Sequence, residues 1–477
     1  MVNESNGNVA PPQELETFLP QDEKKDKVEK KYNLTKEKDV EEGDYDPFAE
    51  RKLDNPTSNM DTLTHLLKAS LGTGILAMPK AFQCSGLLAG IFFTILVAVV
   101  CTHCAYVLIK CAHVLYYKTK KPTMSFPEVA EAALDNGPQW GRRWAYTFRI
   151  FILVSLFITY FGTCSVYAVI IAENIKKVVH FYWESTQENF GIRIFILLIL
   201  PLLIFMAWIK NLKYLAPVSM IANLFMAVGL GITFYFLVGT ESLDFGKVAA
   251  VKHPSEWPQF FSLTIFAMEA IGVVMPLENS MKTPRSMLGF CGVLNKGMSG
   301  VTLVYILLGF LGYLRYGELV QDSITLNLEP HPDDPKIYEV LAQTVKISIA
   351  IAVYCTFGLQ FFVCIEIMWN CMKDKFTQRP DLADYVMRTI LVTVCVLLAV
   401  AVPTIGPFMG VIGAFCFSIL GLIAPAFIEI ITFWDIGFGP YKYLIWKNLL
   451  VLIFGLFALI FGTIDAFKSI ISVYSAH

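Results

Sequence analysis

Eleven long apolar runs dominate the chain, at about 62–82, 86–115, 146–175, 193–209, 214–239, 259–280, 297–314, 340–371, 386–403, 407–433 and 447–470. Each is near or above the roughly 17–20 residues that an α-helix needs to cross the hydrocarbon of a bilayer. The chain has 477 residues, of which 55% are hydrophobic and only 16% charged. In lipid no water can pair a loose backbone group, and a helix pairs its groups internally. The expected fold is therefore an all-α polytopic membrane protein with 11 transmembrane helices. The run at 193–209 is the shortest and contains Pro201, which a membrane helix tolerates.

Charge sets the expected direction. With the N-terminus inside, the inner flanks of the runs carry eighteen Lys/Arg and the outer flanks ten, the bias expected of cytosolic loops. Residues 1–60 hold 9 Lys/Arg against 15 Asp/Glu. They have too few apolar residues to fold alone. Residues 1–58 are thus expected to be a disordered acidic cytosolic tail, 59–470 the membrane domain, and 471–477 a short outer or luminal tail. No apolar run opens the chain, so no cleaved signal peptide is expected. The sequons at Asn3 and Asn33 would be unused in a cytosolic tail, and Tyr45-Asp46-Pro47-Phe48 fits a weak tyrosine-based sorting signal. All 11 Cys lie in or beside apolar runs, so no extracellular disulfide is expected. The loop segment Ser125-Phe-Pro-Glu-Val-Ala-Glu-Ala-Ala-Leu134 places Phe126, Val129, Ala130 and Ala133 at helical spacing, as in an interfacial or docking helix.

Two runs are built to break. The first carries Gly72-Thr73-Gly74 at its middle, and each Gly costs a helix roughly 1 kcal/mol relative to Ala. The second reads Thr264 to Pro284 and contains Glu269, then Gly272, then Pro276. An ionisable residue at mid-membrane is expensive and usually faces a site. Pro276 lacks an N–H and crowds the carbonyl of Gly272. Small residues also let helices approach closely, so close packing is the competing reading for either break alone. The pairing favours a substrate site, because the breaks open the first and sixth runs and so occupy matching places in two halves of five. Five spans per half reverses direction between halves, as an inverted repeat requires.

The stretches HLLKASLGTGILAMP at 65–79 and MEAIGVVMPLENSMKTP at 268–284 resemble the signatures of the proton-coupled amino acid transporters, a branch of the amino acid/auxin permease superfamily. VYAVIIAENIKKVV at 166–179, VLNKGM at 293–298 and the region around FGLQFFV at 357–363 extend the resemblance over about 60–470. It implies a LeuT-like 5+5 inverted repeat with one extra helix. It also implies that a substrate carboxylate meets the amides of Gly72, Thr73 and Gly74. The substrate ammonium would meet carbonyls near Phe266 to Glu269. Amides at a helix start suit an anion and unwound carbonyls suit a cation. His65 matches a histidine of the family's first helix. Histidine titrates near physiological pH and suits proton coupling, although a structural hydrogen bond explains it equally well. Glu269 is the other candidate proton acceptor. Tyr160, where relatives carry a glutamine, either touches substrate or faces a neighbouring helix. Gln360 and Thr356 either line the cavity or bond between helices. Gly272 belongs to the same candidate site. Glu278 and Lys282, four residues apart, suggest an ion pair at the inner mouth, with Lys68 within reach as a gate. Glu173 matches an acidic position of the family, but a local pair with Lys177 accounts for it. Glu366, Glu429 and Asp465 lie near span ends and receive no role.

Together these features predict a secondary active carrier of small neutral amino acids, working by proton symport and alternating access. The partners are amino acids and protons, with signalling or sorting proteins on the tail. The membrane is the plasma membrane or a lysosomal or endosomal one. The alternative is an amino-acid sensor that signals to a growth pathway with little flux. No cofactor or metal is expected. Cys101, His103 and Cys104 have no second pair of ligands. An enzyme is disfavoured because neither G-x-S-x-G nor H-E-x-x-H occurs. The absence of a phosphate-cradling loop argues against ATP-driven pumping, and no basic excess points to nucleic acid.

Overall fold

The computed structural model describes residues 45–51, 53, 56–183, 190–210, 212–239, 245–268, 270–328, 335–373 and 379–475. The chain divides into two units, Met1–Asp46 and Pro47–His477, and every helix named below belongs to the second. The sequons and nearly all of the expected tail lie outside the described residues, as do Glu269 and His477. Among the described residues the secondary structure is helical, apart from one isolated bridge between Thr57 and Met281.

The first interrupted run is α1 (Asn59–Ser70), a 3₁₀ segment (Thr73–Ala77) and α2 (Met78–Ser85). Ser58 and Asp61 close a capping box at its start. Bonds from the Ser58 hydroxyl and amide hold the exposed Asp61 carboxyl below its usual range. There follow α3 (Leu87–Thr119), the docked helix α4 (Phe126–Asp135), α5 (Ala145–Tyr182), the short α6 (Ile192–Leu198) and α7 (Leu200–Ala207), and α8 (Leu212–Gly239). The second interrupted run is α9 (Trp257–Ala267) and α10 (Ile271–Ser280). Then come α11 (Val293–Tyr316), α12 (Lys336–Met372) and α13 (Pro380–Ala401). A long helix runs through α14 (Ile405–Val411), a π-helical stretch (Ile412–Ile423) and α15 (Ala424–Thr432). The chain ends with α16 (Tyr443–Phe457), a π turn (Ala458–Gly462) and α17 (Thr463–Ser475).

Among the described residues, nine helices are long and apolar enough to cross a membrane. The protein is an integral membrane protein. The expected count of eleven is not reached by length and composition. The run at 62–82 is broken by its glycines, and the run at 193–209 is a shorter apolar helix, Ile192–Ala207, bent before Pro201. The loop helix α4 starts at a Ser125–Glu128 capping box and buries Phe126, Val129, Ala130 and Ala133 against α3, α5 and α15. It is a packed element and not a surface one.

The two interrupted helices run in opposite senses. α1 packs on α10, while α2 packs on α9, so the first half of each meets the second half of the other. α11 flanks both halves of the first. A second layer is formed by α5 and α12, packed along each other, with α8 and α13 against them. The break in the second run falls at Met268–Ala270, earlier than Gly272 and Pro276 would place it, and α10 continues through Pro276. Pro276 lies inside α10, where it removes the one bond to the Gly272 carbonyl without ending the helix.

The π stretch lies directly on α9, because Gly413 has no side chain there. A Cβ at Gly413 would sit 2.0 Å from the Ser262 carbonyl oxygen. Gly413→Ala is expected to lower the thermal stability of the detergent-solubilised protein by about 1–3 kcal/mol. Gly231→Ala in α8, where a Cβ meets nothing within 4 Å, should be neutral or stabilising by up to about 1 kcal/mol. Equal melting temperatures for the two variants would refute this packing.

Candidate functional site at the two helix breaks

Both interruptions open on one small cavity of about 30 Å³. Its backbone wall comes from Ala69 to Gly74 on one side and Phe266 and Ala267 on the other. The 3₁₀ segment makes its first internal bond from Ile75 to Gly72, at 3.4 Å. The amides of Gly72, Thr73 and Gly74 therefore stand at the start of a helical segment, where amides have no partner within the helix. Across the cavity α9 ends. There the Met268 amide bonds to the Thr264 carbonyl at 2.9 Å, and Phe266 and Ala267 stand in the last turn, where a helix leaves carbonyls without helical partners. A positive helix end thus faces a negative one. Gly74 makes the approach close enough: a Cβ there would lie 2.5 Å from the Ala267 Cα.

Among the described residues the side-chain wall is uncharged. Thr73, Tyr160, Thr163, Tyr167 and Gln360 bring polar tips, and Phe266 and Phe417 bring rings. The cavity gathers six residues singled out from sequence, namely Gly72, Thr73, Gly74, Tyr160, Phe266 and Gln360. It does not gather Gly272, which lies in the first turn of α10, nor Thr356, whose hydroxyl turns back to the Ala352 carbonyl at 2.8 Å. Sequence reasoning missed Thr163 and Tyr167. They stand three and seven residues after Tyr160, one face of a helix, and that polar-tipped stripe in an apolar run was a usable signal. Phe417 had none, because the π stretch that aims it is not legible in composition.

The two ends of the cavity differ. Opposite the face from which α1 starts, the segment Ile324–Asn327 packs on Thr73–Ala77, α5 and α12, and Ile75 and Thr325 are buried. Toward the amino-terminal face, α1 turns an exposed side bearing Asp61, Thr64, His65, Lys68 and Ala69, while its packing partners are α10 and α11. Ala69 belongs to the cavity wall, and His65 lies one turn below it on the same side. A face with three ionisable groups is too costly to leave against hydrocarbon, and this exposed side reaches the cavity wall at Ala69.

Glu278 sits in a different setting from the one its spacing suggested. Its carboxylate is fully buried and bonded by Arg51 Nη2 at 2.8 Å, His113 Nε2 at 2.9 Å and the Tyr116 hydroxyl at 2.9 Å. Arg51 also donates to the Glu278 and Pro122 carbonyls. Neither Lys282 nor Lys68 is among these partners. α10 ends at Ser280 and Met281 is extended, so the four-residue spacing to Lys282 is no longer helical, and the Lys282 amide instead bonds to Thr57 at 2.9 Å. Lys68 is exposed on α1. The described residues of 47–58, which composition placed in the tail, thus form a strap over α10. Phe48 of the sorting-signal tetrapeptide packs edge-on to His113, Tyr116 and Tyr117. Glu429, set aside as a span-end residue, is likewise buried and holds Lys447, Lys110 and Asn448. No group of three metal-ligating side chains occurs among the described residues.

A family profile described as transmembrane amino acid transporter protein matches residues 55–468. The chain belongs to the transmembrane amino acid transporter family. This is a family of carriers and not of enzymes. A Drosophila melanogaster protein named "Proton-coupled amino acid transporter-like protein pathetic" is 57% identical over 477 residues, covering 100% of this chain and 98% of its own. The Arabidopsis thaliana "Amino acid transporter ANT1" is 25% identical over 437 residues, 87% of this chain and 93% of that one. Among solved structures, MhsT in complex with L-phenylalanine superposes with a TM-score of 0.46 at 13% identity, covering 89% of this chain and 99% of that chain. That superposition is too loose to bear on the site.

The strap gives this amino acid transporter a measurable dependence on Arg51. Arg51→Ala strands a buried carboxylate and is expected to cost roughly 3–5 kcal/mol of stability. Adding Glu278→Gln should restore part of the loss, read as melting temperature in detergent. A single variant that melts with the parent would show that the ion pair contributes nothing.

Proposed function

We propose that this family member carries small neutral amino acids, by proton symport with alternating access, in a plasma or endolysosomal membrane with its N-terminus in the cytosol. The observation that carries the reading is the meeting of two opposite helix ends over a cavity with no charged side chain among the described residues of its wall. A zwitterion is the simplest ligand that uses both ends, its carboxylate on the Gly72 to Gly74 amides and its ammonium on the carbonyls that end α9. A substrate with a charged side chain would find no counter-charge among the lining residues. Size points the same way. The cavity holds about 30 Å³, room for a water or two, and Tyr160, Tyr167, Phe266 and Phe417 crowd it, so a small side chain displaces least.

Proton coupling draws support from His65, on the exposed face of α1 one turn from the cavity, and from the printed name of the 57% identical relative. In this reading His65 takes the proton, with Glu269 as the second acceptor. Proton binding would lower the cost of closing α1 over the loaded cavity, because a ligand shifts a conformational equilibrium only through its different affinity for the two states.

Uptake of labelled alanine, glycine and proline into proteoliposomes tests this reading. An inward proton gradient is expected to raise the rate, and collapsing the gradient to abolish the rise. His65→Ala should lose the gradient-driven part while substrate exchange persists. Uptake indifferent to the gradient would sink the coupling, and binding without uptake would favour a sensor.

A further inference from the structure

The phenol of Tyr305 is held between the two helix breaks. Tyr305 lies on α11 and is fully buried. Its hydroxyl is hydrogen-bonded to the Ser70 carbonyl and to the Ala267 carbonyl, the latter at 2.9 Å. Ser70 is the last residue of α1 and Ala267 the last of α9, and both line the cavity. Each carbonyl is therefore an end group with no amide of its own helix to accept from. A phenol has one proton to donate. It cannot satisfy both carbonyls fully at once.

We propose that Tyr305 is the positioning residue for the substrate ammonium: its single O–H is shared between the two carbonyls in the unloaded carrier and passes to Ser70 when an ammonium takes the Ala267 carbonyl. This rests on reading the cavity as the amino acid site. Three consequences follow from the geometry. Without substrate, one hydroxyl ties the ends of α1 and α9 to α11 at a set spacing. With substrate, the ammonium brings its own protons to Ala267, a charge-assisted bond stronger than the neutral one it replaces. The phenol then bonds Ser70 alone, and α9 is freed from α11 at the end that meets substrate. Binding thereby loosens one tie and tightens another, which is a differential contact of the kind that moves a conformational equilibrium. Recognition falls on the number of N–H donors on the substrate nitrogen, because the handover needs a donor aimed at Ala267.

Tyr305→Phe removes one oxygen and keeps the ring in its packing. Uptake would be compared for glycine and its N-methyl and N,N-dimethyl derivatives, in proteoliposomes of wild type, Tyr305→Phe and Tyr313→Phe. The last is a control on the same helix, whose hydroxyl bonds Glu318 and the Ala249 amide. In Tyr305→Phe no phenol competes with the ammonium for the Ala267 carbonyl, so KM for glycine should fall about threefold or more, a fraction of the tenfold that a hydrogen bond near 1.4 kcal/mol is worth. N,N-dimethylglycine, with a single N–H, gains less from the vacated carbonyl, so the ratio of its KM to that of glycine should rise by about threefold or more. Tyr313→Phe should leave that ratio unchanged. An equal loss for all three substrates would mark Tyr305 as merely structural and overturn the proposal, as would an unchanged KM. If wild type itself neither binds nor carries glycine, alanine or proline, the reading of the cavity fails, and the proposal with it. Should Tyr305→Phe fail to fold, 3-fluorotyrosine at position 305 keeps shape and donor while strengthening the O–H. A threefold or larger shift in the same KM ratio, a fraction of one hydrogen bond, is then expected, and an unchanged ratio overturns the proposal.

Discussion

Backbone groups without water are the constraint on which this structure depends. In hydrocarbon each loose amide or carbonyl costs several kcal/mol, so a helix that breaks there must find partners for what it frees. The chain breaks two helices side by side, in opposite senses. The free amides of one break then face the free carbonyls of the other, across a gap that glycine at position 74 keeps narrow. The cavity follows from this arrangement: what the helices no longer offer to themselves is left facing it.

The rest of the molecule holds that pair in place. α5 and α12 pack along each other and supply Tyr160, Thr163, Tyr167 and Gln360. The half-helices form a group in which α1 and α2 pack on α11, α9 on α2 and the π stretch, and α10 on α1 and α3. Tyr305 sits at the centre of that group, bonded to two of its four loose ends.

The ionic cluster around Glu278 shows the same physics away from the cavity. A buried carboxylate is tolerable only when paired and hydrogen-bonded, and here the partners come from three parts of the chain: the strap at Arg51, α3 at His113 and Tyr116, and the α3–α4 loop, whose Pro122 carbonyl fixes the guanidinium. Such a cluster adds little stability compared with apolar packing, but breaking it is costly. It specifies where the end of α10 rests, and it joins the polar tail segment to a half-helix of the site.

Much of this was legible in the sequence, because it rests on local chemistry. Apolar run length determined that the chain is helical and membrane-embedded. Gly72-Thr73-Gly74 located the first break and its amides, since glycines weaken a helix wherever it packs. A polar pair one turn apart on α12 marked Gln360, and the family resemblance marked Tyr160. What failed was whatever needs two distant segments in one place. Lys282 lies four residues from Glu278, yet α10 ends between them, and Arg51, 227 residues away, takes the carboxylate instead. Gly272 and Pro276 marked the second run correctly but not the point of breakage, because α10 continues through both at the cost of one bond. Tyr305, Phe417 and the strap carried no local signal, for their roles consist of contacts with backbone ends that only packing brings near. The sequence determined which helices must break; the tertiary structure decided what meets at the breaks, because hydrogen bonds reach only about 3 Å and sequence spacing does not measure distance across a bundle.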